Sequence, residues 1–335
     1  MTLAVLSFSS RGEALGQKIK KALMDEGAFV TVTRCGSGEL LEWTRQHFYE
    51  TDALVFIGSC GIAVRAIAPF IQNKTVDPAV IVIDDMGTFS ISLLSGHLGE
   101  ANKLSTKLAD ILGAVPVITT ATDLHGVFAV DSWAKEQGMQ LIRPERIKEI
   151  SSLLLEGKKV SFRCDVPMKG PLPENVYLSE KEEDFVISYK RKERDILQLI
   201  PPVISLGVGC RRGTSQETIE RAFQRLLEKT DLHERSVYQV ASIDLKKDEA
   251  GLLAFCQARH FPVTFYSAQE LQKVHAEISS SAFVESVTGV DNVCERSALL
   301  GAGEGAELIH KKEVFDGVTM ALARRPFTVR FEEKI

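Results

Sequence analysis

The chain has 335 residues, 44% hydrophobic and 25% charged, with a formal net charge of −5. That balance describes an ordinary globular protein long enough for two or three domains, and an acidic chain with no basic run interleaved with aromatics gives no reason to expect nucleic acid. No apolar run approaches the ~18 residues of a membrane span, Met1–Phe8 reads as a strand rather than a leader, and six scattered cysteines without a C-x-x-C pair read as reduced thiols of a cytoplasmic protein.

In chain order, residues 3–8 are expected to form a strand. Leu15, Ile19, Ala22 and Leu23 then share one face of a helix, and residues 28–33 make a second strand. Ser37 is placed to cap a helix running through Tyr49. Ala53–Ile57 is a strongly apolar strand. Gly58-Ser59-Cys60-Gly61 follows it, then a short helix from Ile62 to Ala68, stopped near Pro69. Residues 79–83 form another buried strand, running into Asp84-Asp85. Strands at 88–94 and 115–119 bracket a helix with Leu98, Ala101, Leu104, Leu108, Ile111 and Leu112 on one face and Gly113 at its end. This alternation points to an α/β domain over residues 1–125, its sheet largely parallel and covered on both faces.

From 126 to 195 the pattern weakens, and a small α/β middle domain with a linker is expected. Trp133 lies in one helix and residues 144–155 form another; Lys158–Phe162, a Pro/Gly-rich piece and the mixed-sign run Lys190–Asp195 follow. A C-terminal α/β domain is assigned to residues 196–335, with its fresh pattern starting at Pro201. Val203–Val208 is a strand and Gly209–Gly213 a loop; Thr214 with Glu217 reads as a capping box for a helix through Glu228. Strands at 237–243 and 263–266 flank a helix at 247–259. Ser267 with Glu270 makes a second capping box, and 318–323 and 327–331 read as closing strands. The fold expectation is two three-layer α/β domains with mainly parallel or mixed sheets, joined by the small middle domain.

The turn Ser95-Gly96-His97 stands where a strand delivers the chain to a helix N-terminus. Small residues there let a ligand approach the backbone, and free helix N–H groups favour an anion. The pattern is not a nucleophile elbow, because G-x-S-x-G needs glycine at 93 and 97, where Leu93 and His97 stand. The plainer alternative is that Ser95 caps the helix and His97 bonds locally. Gly58, Gly61 and Arg65 suit an acidic group on backbone donors, although tight strand–helix turns need glycine for themselves. Gly207, Gly209, Arg211, Arg212 and Thr214 invite a dinucleotide reading that fails at Arg212, where G-x-G-x-x-G needs glycine. A glycine loop with adjacent arginines suits a polycarboxylate instead. Thr288–Ser297 reads as a loop feeding a helix that Gly301–Gly305 ends. Glu295 there is either a catalytic carboxylate or a helix-face charge. No H-E-x-x-H occurs and the seven histidines are scattered, so no protein-held metal site is expected.

Ser-Leu-Leu-Ser-Gly-His-Leu-Gly-x-Ala-Asn at 92–102 resembles the signature of the CbiG family, the cobalt-precorrin-5A hydrolases of anaerobic cobalamin synthesis. Residues 61–69, Lys74 and Asp77-Pro78-Ala79-Val80 resemble its preceding segment, and 207–214 resembles the opening of its C-terminal, CobE-like module. Glu100, where a second glycine is expected, and Asp85, where glutamate is common, depart from the pattern. The resemblance implies that water opens a ring A lactone and the extruded meso carbon leaves as acetaldehyde, giving cobalt-precorrin-5B. Cobalt then arrives in the substrate and no cofactor is held by the protein. On this reading His97 is the base, with Ser95 and free helix amides at the oxyanion and Glu295 as a further catalytic candidate. Gly58, Gly61, Arg65, Gly96, Asn102, Gly207, Gly209, Arg211, Arg212 and Thr214 are the substrate-binding candidates. Partners would be the substrate, water and other cobalamin-pathway enzymes; a homodimer stays open. The alternatives are a non-catalytic tetrapyrrole carrier and a nucleotide-dependent transferase or oxidoreductase using the Gly207 loop.

Overall fold

A computed structural model describes residues 1–36, 38–73, 76–97, 99–274 and 291–331. The expectations that rest on Ser37, Lys74, Leu98 and residues 275–290 lie outside the described residues. The chain divides into two compact units, Met1–Trp133 and Ala134–Ile335.

The first unit is built on β1 (Thr2–Ser7), β2 (Phe29–Arg34), β3 (Ala53–Ile57), β4 (Ala79–Ile83), β5 (Phe89–Leu94) and β6 (Val115–Val117), in the order β2-β1-β3-β4-β5-β6. Strands β1, β3 and β4 are continuous apolar runs because both of their faces are covered. Their period-2 alternation sends Leu3, Val5, Val55 and Ile81 to one face. There they pack with α1 (Ser10–Met24) and α4 (Ala101–Leu112). Ala4, Leu6, Phe56 and Val82 go to the other face, with α2 (Leu40–His47) and α3 (Cys60–Ile67). Short helices α5 (Ala121–Leu124) and α6 (Val130–Glu136) follow β6.

Strands β1 to β4 are parallel, but β5 pairs antiparallel to β4 and β6 runs parallel to β5. The sheet is therefore mixed, and β5 ends at the edge where β4 begins, with Leu94 opposite Val80.

The second unit holds two five-stranded sheets. One comprises β7 (Gln140–Ile142), β8 (Val160–Cys164), β10 (Val176–Leu178), β11 (Phe185–Ile187) and β12 (Leu197–Ile200), with β9 (Met168–Lys169) outside it and α7 (Ile147–Leu155) alongside in sequence. Phe162 and Phe185 stack in its core, 5.0 Å apart. The charge run after β11 is absorbed locally: Lys192 meets Asp165, Arg194 meets Glu183, and Asp195 meets Arg143 and Arg146.

The other sheet follows the order β15-β14-β13-β17-β16. Its elements are β13 (Ile204–Cys210), α8 (Gln216–Thr230), β14 (Val237–Ile243), α9 (Ala250–Ala258), β15 (Val263–Tyr266), α10 (Ala268–Gln272), α11 (Val293–Ala302), β16 (Glu307–Phe315) and β17 (Val318–Arg324). Leu206, Val208 and Val240 pack on α8 and α9 on one face. Cys294 and Ala298 of α11 pack on Ala321 and Ala323 on the other. The turn Asp316-Gly317, with φ of +48° and +87°, joins β16 to β17.

Two local expectations change. Ser215, not Thr214, caps α8: its side chain accepts from the Thr218 amide, while the Thr214 hydroxyl donates back to the Arg211 carbonyl. The final strand β18 (Val329–Arg330) leaves the C-terminal sheet and pairs with β9. The Ser267–Glu270 capping box is present as expected.

Candidate active site

The antiparallel return of β5 decides what surrounds His97. Ser95 turns the chain with a φ of +59°, and its hydroxyl donates to the Asp77 carbonyl at 3.0 Å. The Ala101 amide donates to the Ser95 carbonyl and the Asn102 amide to the Gly96 carbonyl, at 3.2 and 3.1 Å. The first two amides of α4 are thus used by the turn itself. The expected pairing of a Ser95 hydroxyl and free amides at an oxyanion is corrected accordingly: the single Ser95 proton and both amides are engaged. The small residues serve the same turn. A Cβ on Gly99 would run into Ser95, and one on Gly96 would sit 2.8 Å from Asn102 Oδ1.

What gathers at this edge is a polar cluster around the imidazole. His97 Nε2 lies 2.7 Å from the Thr122 hydroxyl and 3.6 Å from Asp123 Oδ2; Nδ1 lies 3.2 Å from the Ser132 hydroxyl. Asn102 Nδ2 donates to Asp123 Oδ2 at 2.7 Å and to the Thr120 hydroxyl at 3.0 Å. The His97 side chain is 20% exposed and that of Asp123 42%. His97 and Asn102 were anticipated from the sequence; Thr120, Thr122, Asp123 and Ser132 were not. The available signal was the polar run Thr119–Asp123 after an apolar strand, which gains meaning only once β6 is seen beside β5. An imidazole between two hydroxyls and a carboxylate can accept a proton and hold it.

Other sequence candidates lie elsewhere. Gly58, Gly61 and Arg65 stand at the carboxyl edge of β3, where the Gly58 amide donates to the Ile83 carbonyl. The five residues of β4 alone put about 16 Å between that edge and the one carrying His97. Arg65 folds back onto the Gly61 carbonyl at 2.9 Å, and a Cβ on Gly58 would meet the Phe8 ring. These three are therefore not brought to His97.

In the second unit Gly207 and Gly209 lie within β13 rather than in an open loop. A Cβ on Gly207 would collide with the Cys294 carbonyl of α11, so packing alone demands glycine there. Arg211 and Arg212 are exposed on the turn that follows. Glu249 shapes that turn by accepting from the Gly213 amide at 3.0 Å and from Lys246 Nζ at 3.1 Å. The Gly213 amide, ahead of Lys246, holds the Glu249 carboxyl below the usual glutamate range. Glu295, a catalytic candidate in the sequence, is instead fully buried in α11. Its Oε1 accepts the Lys312 amide at 2.6 Å, where the register of β16 is irregular. Among the described residues no group of three or more His, Cys, Asp or Glu is arranged to hold a metal ion. No helix among them is long and apolar enough to cross a membrane.

Comparison with known proteins matches three family models in succession. They are described as cobalamin synthesis G N-terminal over residues 42–123, cobalamin biosynthesis central region over 128–201, and cobalamin synthesis G C-terminus over 204–323. A Priestia megaterium protein named cobalt-precorrin-5A hydrolase is 34% identical over 303 residues, covering 84% of this chain and 80% of the relative. A Salmonella typhimurium protein of the same name is 33% identical over 303 residues, covering 85% of each. Protein CobE of a Sinorhizobium is 36% identical over 131 residues, covering 39% of this chain and 84% of that protein.

Proposed function

The chain belongs to the CbiG family, and from that premise we propose that it is a cobalt-precorrin-5A hydrolase of cobalamin biosynthesis, with His97 as its proton acceptor. The observation that carries the site is the imidazole held at both nitrogens, by Thr122 on one side and Ser132 on the other. Water opens the ring A lactone. The extruded carbon then leaves as acetaldehyde and cobalt-precorrin-5B remains.

In this reading cobalt is part of the substrate, and the protein contributes acid–base chemistry and positioning alone. Hydroxide is scarce at neutral pH, so attack on the lactone carbonyl needs a base near its operating pH; an ordinary imidazole titrates near ~6.5. Ser95 shapes the turn that presents the imidazole. Arg211 and Arg212 are the proposed grips for peripheral carboxylates, because a guanidinium pairs bidentately with a carboxylate and Arg211 makes no ion pair among the described residues. A cytoplasmic setting and hand-over to other enzymes of the pathway complete the proposal.

The test is incubation of the purified chain with cobalt-precorrin-5A, with acetaldehyde measured directly. Release by the wild type and its loss in His97→Ala, with substrate binding retained, is the expected result. Tight binding of the corrinoid with no acetaldehyde from the wild type identifies a carrier and overturns the proposal. Saturable binding of NAD(P) or S-adenosylmethionine without acetaldehyde release turns the reading to the Gly207 segment.

A further inference from the structure

Asp123 is assigned no part by the motif that marks His97, yet it is the only charged side chain within ion-pair distance of that imidazole among the described residues. We infer that Asp123 is the positioning carboxylate of the site: it fixes the proton on His97 Nε2, stabilises the imidazolium, and is itself aimed by Asn102. The inference rests on the proposed hydrolase activity and adds a residue to it.

The geometry is a relay of orientation. Asn102, in the first turn of α4, donates through Nδ2 to Asp123 Oδ2 at 2.7 Å, while its second donor is taken by Thr120 at 3.0 Å. The oxygen that faces His97 is therefore itself held by Asn102. Asp123 Oδ2 stands 3.6 Å from His97 Nε2, with the Thr122 hydroxyl 2.7 Å from the same nitrogen. No Lys or Arg of the described residues pairs with Asp123, so its charge is not cancelled by another cation. A negative charge beside Nε2 favours the tautomer protonated there, with Thr122 accepting that proton. The basic lone pair is then on Nδ1, which faces Ser132.

The reaction explains why a carboxylate belongs there. Nδ1 takes one proton from water as the water oxygen bonds to the lactone carbonyl carbon. The acyl–oxygen bond breaks, leaving the ring A acetic acid group and an alkoxide on the extruded carbon. That alkoxide pair becomes the carbonyl bond of acetaldehyde as the carbon–carbon bond to the ring breaks, and the pair of the broken bond enters the macrocycle. An imidazolium that gave its proton back to the alkoxide would halt the second step. Asp123 keeps a negative charge 3.6 Å from Nε2 as a counter-charge to the imidazolium while the fragmentation runs.

The experiment measures acetaldehyde release by the full chain with cobalt-precorrin-5A for the wild type, H97A, D123N and D123A. D123N removes the charge and keeps the shape. It is expected to lower kcat by about 10²-fold with KM changed less than about threefold. With the Asp123 side chain 42% exposed, small carboxylates can reach its place, so formate is expected to restore D123A saturably. A merely structural residue shows no such rescue. If the wild type turns over, H97A does not, and D123N stays within about threefold of wild type, the role of Asp123 falls while the activity stands. An inactive D123N whose D123A counterpart formate does not restore also overturns it. A wild type that releases no acetaldehyde overturns the activity, and the role of Asp123 with it.

Discussion

Replacing Gly207 with alanine asks α11 to make room for one methyl group. The new Cβ would lie on top of the Cys294 carbonyl and 2.9 Å from the Ala298 Cβ. Neither neighbour is the free end of a flexible side chain. The Cys294 carbonyl accepts from the Ser297 hydroxyl at 3.2 Å, and Cys294, Ala298 and the flanking Leu206 and Val208 are essentially inaccessible to solvent. Strand β13 is itself fixed between β14 and β17. Relief requires α11 to move off the sheet, and overpacking of this kind costs about 3 kcal/mol. For a unit of roughly 200 residues that is a fall in melting temperature of about 6–12 °C. Gly209→Ala supplies the contrast. Its Cβ would meet only the Thr319 hydroxyl at 2.5 Å, which a rotamer change can clear. Thermal unfolding of both variants by circular dichroism measures the difference. A Gly207→Ala protein melting within about 2 °C of wild type, or below Gly209→Ala in cost, would refute the argument that packing rather than ligand approach requires this glycine.

Ser215→Ala should cost about 1 kcal/mol through the lost cap of α8, and Thr214→Ala roughly half that, because its hydroxyl does not cap the helix and donates to the Arg211 carbonyl; chemical denaturation that ranks them in reverse rejects the reassigned cap. Glu249→Gln should destabilise the protein at neutral pH. A carboxyl whose folded-state pKa is depressed contributes above its unfolded value and loses that contribution as pH falls through the depressed one, so the gap to wild type should close as pH drops below 4.5. Urea midpoints that keep the same gap down to about pH 3 contradict this. Burial pushes the Cys256 and Cys294 thiols up to about 12, so both should resist iodoacetamide at pH 8 in the native protein and react on unfolding; labelling of either in the native state, read by mass spectrometry, overturns their placement.

Strands buried on both faces were legible because nothing but burial determines their composition: Leu3–Leu6, Ala53–Ile57 and Ala79–Ile83 announce themselves. The capping box at Ser267 was equally plain, since both partners are local in sequence. The strands at 176–178, 185–187 and 197–200 were not. Each is too short for a period to register, and they are recognisable only by pairing with one another and with β8. The cap of α8 slipped by one residue because Thr214 and Ser215 are both capping types and only backbone geometry chooses between them. At the site, His97 and Asn102 stood in a recognisable motif. Asp123 did not, because a carboxylate in a polar stretch looks like any solvated charge until Asn102 and His97 are found beside its Oδ2.

The direction of β5 was available from chain length, and it governs more of the site than any single residue does. A parallel return requires a crossover of a dozen or more residues. Only residues 84–88 separate β4 from β5, so the chain has to double back. Asp84 closes that hairpin by accepting from the Met86 and Phe89 amides. Once β5 runs against β4, its end emerges beside Asp77 at the start of β4, and β6, parallel to β5, delivers Thr120, Thr122 and Asp123 to the same edge. The same reversal leaves Gly58, Gly61 and Arg65 at the far edge, where the parallel strands β1 and β3 end. Glycine turns of parallel strands are the usual place to seek a ligand in an α/β sheet. Here the imidazole and carboxylate that can move a proton stand at the opposite edge, which only the reversed pair of strands could supply.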